Sequence, residues 1–192
     1  DILINQQRGV VIVAAEGQIL DALRDRLLAR LGITVSLRFC RNISAADIIK
    51  LGTADFFIIR DERVEEAGRT IAENFGRPYV SSFPSGLSGC VRFIREAGLA
   101  CGISEAEIED AVSAEEAYQA EQLSIFKELS GMKVSLGFEP FAGCHAVARE
   151  AMQRLNIHEA ADGMEIKLPF YLPVGLSGVL KMLYLWRREK RK

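Results

Sequence analysis

Two cysteines, three arginines and a glycine loop are the groups in this chain with the types and spacing to do chemistry together. Cys40-Arg41 follows one apolar run, Arg60-Asp61-Glu62-Arg63 follows a second, and Ser85-Gly86-Leu87-Ser88-Gly89-Cys90 follows a third. The arginines would supply charge complementarity to an anion, and the backbone of Ser85–Gly89 would supply N–H donors at a helix start. Cys90 falls in the first turn of that helix, where the dipole favours a thiolate. The alternative is a small buried hydrophobe packed on the sheet. Cys40 beside Arg41 has the same two readings. The candidate ligand-binding set is therefore Cys40, Arg41, Arg60, Arg63, Ser85, Gly86, Ser88, Gly89 and Cys90.

A second group is Glu139, Cys144 and His145. Cys144 and His145 are neighbours on a helix, so their side chains diverge by about 100° and are poorly placed to share a metal. His145 reads as an ordinary surface or core histidine, His158 as solvated, and Cys101 as structural. No nucleophile, general acid or general base is assigned. No cysteine pair has C-x-x-C spacing, which removes the usual zinc and thioredoxin-like signatures. The first strand is followed by Glu16-Gly17-Gln18 rather than G-x-G-x-x-G, and no Gly-Lys-Ser/Thr follows the glycine loop. Neither a nicotinamide cofactor nor ATP is supported. The glycine loop is either an anion site or a tight structural turn.

The loop has an echo. Pro84-Ser85-Gly86-Leu87-Ser88-Gly89 and Pro173-Val174-Gly175-Leu176-Ser177-Gly178 share the frame Pro-x-Gly-Leu-Ser-Gly. Each closes an α/β segment, which points to two related units.

The elements that must position these groups are legible in the periodicity. Apolar runs Gly9–Ala15, Ile33–Phe39, Phe56–Ile59 and Pro78–Ser81 read as strands. Helical patterns lie between them and are stopped at Gly32, Gly52 and Gly76. Strand–helix repeated four times predicts an α/β fold: a parallel sheet of Rossmann-like units with right-handed crossovers. Ligands sit beyond the carboxyl ends of such strands, where the candidate residues fall. Ser104 and Glu107 form a capping box that opens a polar helical connector, expected to break near Ser113. A strand from Met132, a helix to Leu155, a strand Met164–Leu168 and a helix Ser177–Arg188 make a second, shorter α/β unit. The expected division is residues 1–103, a connector at 104–131, and 132–192.

At 192 residues and 49% hydrophobic, the chain has enough apolar sequence for a substantial core. Its net charge of −2 gives no reason to expect nucleic acid. The basic tail Arg187–Lys192 suits a helix C-terminus, or an acidic partner. Leu168–Trp186 is apolar but is interrupted by Pro169, Pro173, two glycines and Lys181, so it is not read as a membrane span. The cysteine pattern reads as that of a reducing cytoplasm. Asp1–Arg8 is polar and patternless and reads as a cut amino end, with an upstream domain expected.

Leu28–Val35, Ala54–Ile59 and Phe75–Val80, followed by the glutamate-rich Glu115–Leu129 and Ser130–Leu136, resemble the nitrogenase molybdenum–iron protein family. That family includes cofactor scaffold proteins and light-independent protochlorophyllide reductase. The resemblance covers roughly residues 9 to 150. It implies an oxidoreductase subunit or fragment binding a metal cluster or tetrapyrrole, an iron–sulfur or related metal cofactor, and an ATP-dependent reductase partner. It departs where catalytic subunits carry a cofactor cysteine, since this chain has Arg60-Asp61-Glu62-Arg63 there. Cluster ligation therefore carries over to no residue. The rival readings are a non-catalytic cofactor-binding or assembly module that lost its cluster ligands, and a structural subunit. Family members associate in pairs, and the aromatic-rich Leu168–Trp186 stretch should leave an apolar patch. A homo- or hetero-dimer is expected, with Tyr184 or Trp186 near the contact.

Overall fold

The β-branched and aromatic runs form two parallel sheets in a computed structural model that describes residues 9–13, 18–39, 45–59 and 65–191. Two compact units are present, Asp1–Phe83 with Arg92–Ser113, and Pro84–Val91 with Ala114–Lys192. The first glycine loop thus groups with the second half of the chain.

In unit one, strands β1 (Gly9–Val13), β2 (Thr34–Phe39), β3 (Phe56–Ile59) and β4 (Tyr79–Val80) lie in the order β2-β1-β3-β4. All pairs are parallel, with Val10 opposite Phe56 and Val13 opposite Ile59. All four residues of β3 are buried, as a central strand covered on both faces requires. Helices α1 (Gln18–Ala29), α2 (Ala45–Gly52) and α3 (Glu65–Asn74) make the crossovers. Gly68 of α3 lies so close to the sheet that a Cβ there would stand 2.8 Å from Ile59 Cγ1. Phe57 stacks on Phe75 with centroids 6.1 Å apart, and Leu51, Ala54 and Ala72 pack with Phe57. Arg24 is wholly buried, its guanidinium 5.8 Å from the centroid of Phe93.

Helix α4 (Ser88–Ala100) begins in the residues that group with unit two and continues into those of unit one. The capping box forms as expected: Glu107 N–H donates to Ser104 Oγ at 3.4 Å, and Ser104 N–H to Glu107 Oε2 at 3.2 Å. It opens α5 (Glu105–Leu123), which runs without the break expected near Ser113. Ser113 is exposed, and a solvated serine costs a helix only tenths of a kcal/mol. Buried Val112, Glu115 and Gln119 carry the inward face past it.

In unit two, β5 (Lys133–Leu136), β6 (His158–Glu159) and β7 (Met164–Ile166) form a parallel sheet in the order β6-β5-β7. Helices α6 (Cys144–Leu155) and α7 (Gly175–Lys190) complete it, with a 3₁₀ turn at Ser124–Leu129. Strand β6 was not expected; its two residues are polar and exposed, so no apolar run marks it. The core gathers Leu87, Phe126, Leu129, Val134, Ala148, Ile166, Leu176, Val179, Leu183 and Trp186.

Trp186 is therefore fully buried inside its own unit, so that of the two residues expected at or near a subunit contact, Tyr184 or Trp186, only Tyr184 has exposed surface to offer. The short unit has more interior than its few strands imply, because loop 84–91 and the end of α5 contribute to it. Tyr184 stays half-exposed, packed edge-on against Phe126 at 4.9 Å. The basic tail is engaged within the same unit. Arg187 pairs with Glu128 and lies 4.4 Å over the Phe126 ring, and Lys190 donates to the Glu128 carbonyl. Among the described residues, no helix is long and apolar enough to cross a membrane.

Candidate functional site

The two Pro-x-Gly-Leu-Ser-Gly copies meet. Gly86 N–H donates to Pro173 O at 3.0 Å and Gly175 N–H donates to Pro84 O at 2.8 Å, closing an antiparallel bridge between Ser85 and Val174. Burial matches position by position. Pro, Gly, Leu and the second Gly are buried in both copies, the residue after Pro is half-buried, and the serine is exposed. The first glycine of each copy has positive φ, 63° at Gly86 and 52° at Gly175. An L side chain is strained in that conformation. The bridge brings the starts of α4 and α7 together, and with them two sets of partial positive charge.

At the first copy that charge is answered from within the unit. Glu150, from the middle of α6, accepts from Leu87 N–H through Oε2 at 3.0 Å and from Ser88 N–H through Oε1 at 2.6 Å. An external anion at this helix start would have to displace it. Nothing in the sequence marks Glu150, since it is one carboxylate among many on a helix surface. Gln119 supports the loop from the other side, donating through Nε2 to Leu87 O at 3.2 Å and to Glu115 Oε1 at 3.1 Å.

Ser85 lies in the bridge, Gly86 and Gly89 are buried backbone, and Ser88 is exposed at the start of α4. Cys90 is fully buried and its thiol donates to Gly86 O at 3.5 Å. Cys40, Arg41, Arg60 and Arg63 lie outside the described residues.

The second predicted group is better defined. The loops leaving β5 and β7 share one carboxyl edge, because the two strands are parallel neighbours. Glu139 Oε1 accepts from His145 N–H at 2.7 Å and so caps the start of α6. The His145 ring nitrogen Nε2 lies 3.0 Å from Gly137 O. A carbonyl only accepts, so Nε2 carries the proton, and Nδ1 is the ring atom 3.9 Å from Glu139 Oε2. Cys144 is buried at the α6 start, its thiol directed to Pro169 O at 3.7 Å and Tyr171 O at 3.5 Å. Burial, and then the Glu139 charge, raise the Cys144 thiol above its ordinary range. It is a protonated tether for the β7 loop.

Cys144 should therefore resist alkylation. In the native protein iodoacetamide is expected to modify it about tenfold more slowly than the half-buried Cys101. Peptide mass spectrometry reads both, and equal rates would mean that the Cys144 thiol is open to solvent.

The same two loops expose four aromatic rings. Phe138 is 84% and Phe170 87% exposed, and Phe141 and Tyr171 are about half-exposed. Sequence reasoning expected an apolar patch from Leu168–Trp186 but missed Phe138 and Phe141 on the facing loop. Among the described residues, no group of three or more His, Cys, Asp or Glu converges to hold a metal ion.

Residues 15–161 match the family described as nitrogenase component 1 type oxidoreductase. This chain belongs to that family. A light-independent protochlorophyllide reductase polypeptide from Methylobacterium radiotolerans is 33% identical to the nitrogenase component 1-like chain over 86 residues, 44% of this chain and 16% of that protein. The corresponding reductase polypeptide of Rhodopseudomonas palustris is 36% identical over 77 residues, 39% of this chain and 14% of that one. The matches thus span only a small part of those relatives' length. Among solved structures, one titled nitrogenase Cp1 at pH 5 superposes with a TM-score of 0.54 at 16% identity, covering 80% of this chain and 32% of that one. That similarity establishes a shared α/β fold.

Proposed function

We propose that this chain is a nitrogenase-like oxidoreductase subunit, or part of one, and that the carboxyl edge of its sheets receives a flat, anionic tetrapyrrole-type cofactor or substrate. The observation that carries the reading is the set of exposed rings Phe138, Phe141, Phe170 and Tyr171 on the loops that leave the neighbouring strands β5 and β7. Soluble surfaces rarely cluster large apolar groups without a partner. A macrocycle face stacks on such rings at about 0.5–1.5 kcal/mol per contact. The similarity to proteins named for protochlorophyllide reduction favours the same ligand class.

In this reading Cys40, Arg41, Arg60 and Arg63, outside the described residues, stay candidate ligand-binding residues, the three arginines by charge complementarity to an anion. Ser85, Gly86, Ser88, Gly89 and Cys90 act as a positioning loop. The ligand supplies a reducible π system when bound. The chain's aromatic side chains orient it and exclude water, and His145 holds a proton at Nε2 against Gly137 O. A metal cluster fits less well, because the described residues offer no converging ligand set and the Cys90 and Cys144 thiols are buried donors to carbonyls. The same missing ligands favour the second reading, a non-catalytic module that binds the cofactor during assembly. A cytoplasmic setting, a homo- or hetero-dimer and an ATP-dependent reductase partner belong to the first reading.

Anaerobic titration with protoporphyrin IX, followed by its absorbance, tests the surface. Saturable binding is expected, weakened about tenfold or more by Phe138→Glu with Phe170→Glu. Both side chains are exposed, so the fold should survive. Absence of binding by the parent chain removes the ligand class, and equal binding by the variant removes the aromatic surface.

A further inference from the structure

Helix α7 buries one side in the core of unit two, through Leu176, Val179, Met182, Leu183 and Trp186. Its opposite side is unusual. Tyr184 is 50% and Leu185 39% exposed, and among the described residues of unit two no other α-helix exposes a large apolar side chain. Lys181 and Arg188, both exposed, stand one turn before and one turn after this pair. Residues 181, 184, 185 and 188 follow the i, i+3, i+4, i+7 spacing that puts side chains on one face of a helix. The face is preformed. Tyr184 packs edge-on against Phe126, and Arg187, which pairs with Glu128 and donates to Ile125 O, lies 5.4 Å from the Tyr184 ring centroid. A ring already held in place loses little entropy when a partner covers it.

Charge decides what can cover this face. A two-fold contact of α7 with its own copy, centred on Tyr184 and Leu185, would set Lys181 opposite the other copy's Arg188, like charge against like. An acidic surface avoids that, and the same unit carries one. Helix α5 has no lysine or arginine. In its second half the exposed carboxylates Glu116 and Glu121 bracket the exposed Ala117 and Ala120. The alanines leave room for Tyr184 and Leu185 to approach the helix closely. The two carboxylates stand about 7.5 Å apart along α5, and Lys181 and Arg188 about 10.5 Å apart along α7, a difference that long, flexible cationic side chains span. Among the described residues none of these four charges has an ion pair within the chain.

We propose that the exposed face of α7 docks on α5 of a second copy of this chain. Lys181 and Arg188 pair with Glu116 and Glu121 of that copy, and Tyr184 and Leu185 lie over its Ala117 and Ala120. Each copy carries both faces, and a two-fold pair uses the contact twice. The inference rests on the dimer of the first reading and is independent of the tetrapyrrole.

Sedimentation velocity of the whole chain tests the contact by charge exchange. The parent chain should sediment as a dimer at about 100 µM, with dissociation about tenfold easier in high salt than in low salt. Lys181→Glu with Arg188→Glu should give a monomer, and so should Glu116→Lys with Glu121→Lys, because each sets like charges against each other. An equimolar mixture of the two variants should restore the dimer, since reversed α7 then meets reversed α5 and parent α7 meets parent α5. Tyr184→Ala with Leu185→Ala should weaken the dimer about tenfold without a change of charge, which keeps the test open should a reversed helix not fold. A parent chain that stays monomeric removes both the contact and the dimer. A parent dimer that salt, either reversal or the alanine pair leaves intact removes the contact while the dimer stands, and so does a mixture of reversals that stays monomeric.

Discussion

Gly86→Val is expected to lower stability by about 4 kcal/mol, whereas Gly52→Val costs less than about 1 kcal/mol. Both glycines close a turn of chain, so composition alone does not separate them. Gly86 has φ +63°, where a β-branched residue is strained before any contact is counted. A Cβ there would also stand 2.6 Å from Glu150 Oε2 and 3.1 Å from Val147 Cγ2. The carboxylate would be pushed off the Leu87 and Ser88 N–H groups, and the Gly86 N–H bond to Pro173 O would be distorted with it. Gly52 is the last residue of α2 and is exposed; its nearest neighbour for a Cβ is Phe75 Cε1 at an ordinary 3.8 Å. Urea unfolding followed by far-UV circular dichroism compares the two variants. Equal losses would mean that the bridged loop tolerates an L residue like any exposed turn.

Local features of the fold were legible and non-local ones were not. Phe56–Ile59 announces a buried strand because four consecutive apolar residues have no solvent face to serve. Gly32 and Gly76 announce helix ends because the chain takes positive φ there, 66° and 60°. Ser104 and Glu107 announce a helix start because their reciprocal bonds need only residues three apart. The repeated Pro-x-Gly-Leu-Ser-Gly frame was visible, but not that its copies bond to each other. That contact joins residues far apart in the chain, and the hydrogen bonds are backbone to backbone, which no side chain encodes. Glu150 and Gln119 were invisible for a related reason. A polar residue on a helix reads as solvated until tertiary structure brings a donor to it. His145 was read as an ordinary histidine because its partners, Gly137 O and Glu139, are set by the shape of a loop. Phe138 and Phe141 escaped notice because exposed aromatics on a loop have no periodicity to betray them.

Glu150→Ala should cost about 2–3 kcal/mol, and Glu150→Gln about half of that. The carboxylate satisfies two N–H groups at the α4 start, and its charge faces the positive end of the helix dipole. Removing it leaves Leu87 N–H without its acceptor on a buried residue, while Ser88 is exposed and water can take the place of Oε1 there. Glutamine keeps one acceptor, but its amide NH₂ would face the other N–H donor. The same geometry fixes a coupling. Gly86→Ala collides with Glu150 Oε2, so removing Glu150 first relieves part of that collision. The double variant should be about 1 kcal/mol more stable than the sum of the singles predicts. Sulfate supplies a replacement anion for the vacated donors. It should stabilise Glu150→Ala more than the parent chain when compared with chloride at matched ionic strength. Additive single losses together with an equal response to sulfate would show that Glu150 does not hold this loop. The first glycine loop would then keep its shape through the bridge to Pro173 alone.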